Sequence, residues 1–187
     1  MEKLILITCL LLSSSIFGQE NVGYTIHAKE RVISYEKLVK QLSKKEVVLF
    51  GELHDDSIAH VLEYELSRDL FQLFTQSFSL GAEMFETHQA TYLQQFLETG
   101  NLKALTDSTK LWSNFLSDYY PTLRFAQENG IPYYATNIPR KYASMVFKKG
   151  IQSLDTLTEK ERAFICPLPF AFDSTLSQYK ECIQMGI

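Results

Sequence analysis

Glu52 and His54 stand two residues apart in Gly51-Glu52-Leu53-His54-Asp55-Asp56, directly after the apolar run Val47-Val48-Leu49-Phe50. A carboxylate and an imidazole at this spacing can share a divalent cation, move a proton to or from bound water, or present an imidazole oriented by its neighbouring carboxylate. Further along, Glu83 and Glu86 close the run Phe78–Phe85, and Asn137 and Arg140 follow the run Ile131–Thr136. Carboxylates at the end of a buried strand are costly unless they are solvated, paired with a cation or bound to metal. Rim charges that meet only water, and a capped turn carrying a solvated histidine, are the plain alternatives.

The elements that must position these groups follow from the apolar pattern. Val47–Phe50 is short and β-branched or aromatic, so it reads as a buried first strand that Gly51 ends. Asp55 or Asp56 can then cap a helix, because a short carboxylate accepts bonds from the unpaired first N–H groups. Ile58, Val61, Leu62, Leu66, Leu70, Leu73 and Phe74 recur at threes and fours, the stripe of an amphipathic helix laid on a sheet. His60 and Glu63 fall together at i and i+3 off that stripe, and periodicity alone makes them solvated. A second strand over 78–85, separated from the first by this helix, implies a right-handed parallel crossover. Residues 131–137 give a third strand, and Ile138-Pro139-Arg140 leads into a helix that stops at Gly150. Between strands two and three, about 88–128, the pattern is helical, with Gly100 as a stop and Pro121 opening a new helix; part of it reads as a small helical subdomain over the strand ends. Ser34 caps a short helix from Tyr35 to about Leu42, Thr158 with Glu161 makes a capping box, and Asp173 or Ser174 caps a last helix. The expected fold is α/β: a mostly parallel sheet flanked by helices, with the helical subdomain inserted between strands two and three. In such sheets ligands bind at the carboxyl ends of strands, and three strands here deliver polar groups to one edge.

Composition bounds the function. The 187 residues are 45% hydrophobic and 13% aromatic, enough for one domain with a true core. A net charge of -4 and a pI near 5.6 leave no basic footprint, which argues against a nucleic-acid partner. Met1-Glu2-Lys3, the apolar Leu4–Leu12 and the small residues up to Gly18 have the layout of a secretory signal over residues 1–18, leaving a domain over 19–187. The apolar stretch is too short to span a membrane. An exported chain, periplasmic or associated with the cell envelope, is the expectation. Cys9 lies within the signal; Cys166 and Cys182 either pair in an oxidising compartment or stay as unrelated thiols. No repeat or low-complexity tract interrupts the chain.

The blocks Gly51-Glu52-Leu53-His54-Asp55 with His60, Gly81-Ala82-Glu83-Met84-Phe85-Glu86 with Gln89, and Asn129-Gly130-Ile131-Pro132 running to Asn137-Ile138-Pro139-Arg140 together resemble the ChaN-like haem-binding uptake family of the Tiki superfamily. The resemblance implies an exported α/β protein serving haem or iron uptake, with Glu52, His54, His60, Glu83 and Glu86 as the matching positions; His54 and His60, with Asn137 and Arg140 at the end of strand three, are the expected cofactor-binding residues. Haem iron takes His or Tyr as axial ligand, and of ten tyrosines Tyr119, Tyr120, Tyr133, Tyr134 and Tyr142 lie near strand ends or in the helical region. Other members of the superfamily are metal-dependent hydrolases, of peptidase or esterase type. On that alternative Glu52, His54 and Glu83 hold zinc, cobalt or manganese, and Glu83 and Glu86 are the catalytic carboxylates. A non-catalytic remnant is the third alternative. Members of the family are usually longer, with a second Gly-x-x-His element, so the chain is expected to be truncated at its C-terminus. Haem or another small ligand is the expected partner, with peripheral membrane association and a homodimer both left open.

Overall fold

The computed structural model describes residues 23–184 apart from 172 and 174. The proposed signal lies outside the described residues.

Eight residues beyond Gly23 the chain has already folded back on itself. β1 (Ile26–Ala28) and β2 (Arg31–Ile33) form an antiparallel hairpin, and Lys29 in its turn takes a φ of 58°. The turn residues Lys29 and Glu30 carry none of the Asn-Gly or Asp-Gly chemistry that marks such turns, so this hairpin had no local signal. Ser34 then caps α1 (Tyr35–Leu42) by accepting from Lys37 N at 3.3 Å.

α2 (Ser57–Phe74) begins where the capping argument places it. Asp56 Oδ1 accepts from Ile58 N at 2.9 Å and from Ala59 N at 3.3 Å. β3 (Leu80–Glu86) and β4 (Tyr133–Asn137) pair in parallel, with Leu80 opposite Tyr133 and Glu86 opposite Asn137 across an irregularity in register. Gly81 sits so close to β4 that a Cβ there would lie 2.7 Å from Thr136 Cγ2, so the pairing needs a residue without a side chain at this point.

Between these strands run α3 (Ala90–Thr99), α4 (Leu102–Ser108), a π turn at Phe115–Tyr119 and α5 (Tyr120–Glu128). Gly100, at φ 67°, ends α3 as a left-handed cap. These helices share one core with the strands: Met84 and Phe85 of β3 and Tyr133 of β4 pack with Leu93, Phe96, Leu105, Phe115, Tyr119 and Leu123. α6 (Arg140–Lys149) follows β4, and Tyr142, Leu154 and Leu157 form a smaller core beyond it. α7 (Glu159–Arg162) carries the expected Thr158/Glu161 capping box. α8 (Ser177–Gln184) starts later than expected, because Asp173 Oδ1 closes a turn on Thr175 N instead.

The chain is thus a mixed α/β protein with one parallel strand pair among the described residues, and the expected first strand is where it departs from the reading. Residues 47–53 join no ladder, and Val47 and Leu49 are 74% and 93% exposed. Parallel pairing is non-local, so an apolar run fixes a tendency to extend but not a partner. The segment instead forms one wall of a groove of about 670 Å³, facing Leu66 and Leu70 of α2 and Leu80, Gly81 and Glu83 of β3. Among the described residues no helix is long and apolar enough to cross a membrane.

Candidate functional site

Three local features bring the site together. The turn Leu53–Asp56, closed by Asp56 N donating to Leu53 O at 2.9 Å, delivers Glu52 and His54 to the start of α2. The first turns of α2 add His60 and Glu63. The π turn, whose extra residue re-aims the side chains that follow it, adds Asp118 and Tyr119.

Glu52 is the hub. Its Oε1 accepts the Tyr119 hydroxyl at 2.6 Å and lies 3.2 Å from His54 Nδ1, while Oε2 lies 2.8 Å from His60 Nδ1. His54 stands with 59% of its side chain exposed, 4.6 Å from the Trp112 ring. Trp112 in turn meets Tyr119 edge-on at 5.3 Å. His60 is its opposite in exposure, with 3% of its side chain accessible. The Tyr119 ring packs edge-on against it at 4.6 Å. Its Nε2 lies 3.3 Å from the backbone oxygen of His54, which also accepts from Asn114 Nδ2 at 2.6 Å. Asn114 donates to Asp118 Oδ2 as well, at 2.7 Å.

Among the described residues, two buried atoms in this cluster find no hydrogen-bond partner: Glu52 Oε2 and His60 Nδ1. They are close, yet their contact is not aligned as a hydrogen bond. Glu63 Oε2 lies 3.9 Å from the same nitrogen. Glu52, His60 and Glu63 can each offer a ligand atom, all within 4.8 Å of one another. Burial, and next the charge of Glu52, push the Glu63 carboxyl above its ordinary range. Burial, and next the bond to Glu52, push the Tyr119 phenol well up, so it remains a neutral donor.

The other expected residues are distributed differently. Glu86 sits at the end of β3, where its carboxylate accepts from Arg140 N at 3.1 Å and lies 3.2 Å from His88 Nδ1. Asn137 is its register partner on β4. This is a second polar group at the strand ends, and no hydrogen bond or ion pair among the described residues joins it to Glu52. Glu83 is exposed on β3 and lines the groove alongside Glu63. Tyr133 and Tyr142 are buried in the two cores, at 2% and 1%, and burial holds the Tyr133 phenol far above its ordinary range. Tyr120 packs on Phe96 and Phe115, and Tyr134 is exposed on β4. The Arg140 side chain is exposed, and it is the backbone N–H that does the binding. Cys166 is a free, exposed thiol, and the Cys182 side chain lies outside the described residues.

Periodicity placed His60 in solvent, whereas the family resemblance put it in the site; the structure buries it beside Glu52 and Tyr119. Glu63, Trp112, Asn114 and Asp118 are site residues that sequence reasoning missed. Glu63 had a usable signal, its i+3 spacing from His60. The other three reach the site through the π turn and the loop before it, for which no local pattern exists.

A family model described as haem-binding uptake, Tiki superfamily, ChaN matches residues 38–186. No curated protein and no solved structure matches the chain.

Proposed function

Because the chain belongs to the haem-binding uptake family of the Tiki superfamily, ChaN, we propose that it is an exported haem-binding protein serving haem or iron uptake, in which His54 would hold the iron. The observation that carries this reading is the contrast within His54 itself. Its ring is largely exposed, yet its Nδ1 is held beside Glu52 Oε1, and among the described residues nothing bonds its Nε2. A carboxylate behind one ring nitrogen fixes the imidazole and raises the basicity of the other, the usual support of a metal-ligating histidine.

The surroundings fit the group. Trp112 offers an indole 4.6 Å from the His54 ring, an apolar neighbour for a flat macrocycle. Asn114 holds the backbone oxygen of His54, which fixes the turn that carries the imidazole. Bound haem would supply an iron centre, which His54 would hold and beside which Trp112 would offer apolar surface. Tyr119 does not serve as an iron ligand in this reading, because its hydroxyl is committed to Glu52 and its phenolate form is disfavoured. Export rests on the charged start and apolar middle of residues 1–18.

Haemin titration of the purified mature protein tests this. A saturable Soret shift at one haemin per chain is expected, and a spectrum that remains that of free haemin removes the reading.

A further inference from the structure

We propose that Glu52, His60 and Glu63 form a second site, adjoining the His54 site and sharing Glu52 with it, that holds a divalent first-row metal ion such as zinc or manganese. It does not depend on haem binding at His54.

A backbone carbonyl can only accept, so the contact of His60 Nε2 with His54 O puts the proton on Nε2. In the neutral ring Nδ1 then carries a lone pair. That lone pair is buried, has no hydrogen-bond partner among the described residues, and shares its space with two carboxylate oxygens. Three acceptors converging without a donor are a costly arrangement in a protein interior, and a cation between them removes the cost.

The spacing suits such an ion. Ligands held about 2.05 Å from a tetrahedral zinc lie about 3.3 Å from one another. Here Nδ1 is 2.8 Å from one carboxylate oxygen and 3.9 Å from the other, values on either side of that edge. Small side-chain rotations would equalise them.

The outer partners are also in place. Tyr119 donates to Glu52 Oε1 and leaves Oε2 for the ion, while the His54 carbonyl fixes the His60 tautomer. One imidazole with two carboxylates suits zinc, manganese or iron(II) better than calcium, whose shell is oxygen alone. Glu63 keeps 28% of its side chain exposed and lines the groove, which gives the ion an entry path and leaves a fourth position for water.

The test is zinc binding to chelator-treated protein, by equilibrium dialysis with metal analysis, and cobalt(II) absorption as the spectroscopic probe. One ion per chain is expected, with cobalt d–d bands of a low-coordinate site. Glu63→Gln should weaken zinc binding by about 100-fold or more, beyond the loss of an outer partner. Glu83→Gln, the other groove carboxylate, should leave it unchanged. His60→Gln should abolish it; if that variant fails to fold, the partly exposed Glu63 carries the test. Absence of stoichiometric zinc, or zinc binding untouched by Glu63→Gln, overturns the proposal, as does equal loss in Glu83→Gln. Haemin titrated into Glu63→Gln separates the two sites: the Soret shift should persist where zinc is lost.

Discussion

Glu52 serves two histidines of opposite character, an exposed one and a buried one, and Tyr119 holds the carboxylate between them. Tyr119→Phe removes a buried donor to a charged acceptor, which costs about 1.5–3 kcal/mol. Urea unfolding should show that loss while haemin still binds. If the variant is as stable as the parent, the Tyr119 to Glu52 bond is not what orders the carboxylate. The site was partly legible at this scale. Gly51-Glu52-Leu53-His54 announced itself because its residue types are chemically capable and sit after an apolar run. His60 did not, since the first turns of α2 expose Ile58 and Val61 at 36% and 46% and bury the histidine, reversing the usual sense of the stripe. The cause is the π turn, which lays Asp118 and Tyr119 over His60 from 58 residues or more along the chain.

At the scale of elements, Glu86 ties the end of β3 to the start of α6. Pro139 at that helix's N-cap offers no side-chain bond, and Glu86 Oε2 takes its place by accepting from Arg140 N. Glu86→Ala should therefore cost about 0.5–2 kcal/mol, like the loss of a helix cap, and calorimetry would record it as a lower Tm. An unchanged Tm would mean that solvent caps α6 equally well. The Thr158/Glu161 box of α7 gives a pH-dependent counterpart. The Thr158 backbone and hydroxyl hold the Glu161 carboxyl below its ordinary range. A carboxyl lowered in the folded state adds stability above its unfolded pKa and loses it as pH falls through the folded value. The Tm deficit of Glu161→Gln should accordingly be present at neutral pH and shrink in acid; a deficit constant with pH would refute the assignment. Caps such as Ser34, Asp56, Gly100 and Thr158 were readable because each acts within four residues. The parallel sense of the β3–β4 pair agrees with the mostly parallel sheet expected from helices between the apolar runs, although the crossover read from the sequence joined Val47–Phe50 to residues 78–85. What the apolar run at Val47–Phe50 would pair with was not readable.

For the whole molecule, the larger of the two cores joins the strand pair to the helices between its strands. Phe85 is fully buried between Phe115 and Tyr133, at ring separations of 6.1 and 6.3 Å, and so joins sheet to helices. Phe85→Ala should cost about 3–5 kcal/mol in denaturant unfolding. Leu49, exposed on the outer wall of the groove, should tolerate Leu49→Asp within about 0.5 kcal/mol. A large penalty there would show that 47–50 is a packed strand after all. The core and the groove frame the exposed His54, on which the functional account turns. The most direct measurement is haemin titration of the parent, His54→Ala and Tyr119→Phe side by side, followed through the Soret band with circular dichroism as the check on folding. The account predicts a saturable Soret shift for the parent and for Tyr119→Phe, and its loss in a folded His54→Ala. A folded His54→Ala that keeps the full shift, or a shift lost only in Tyr119→Phe, would contradict it.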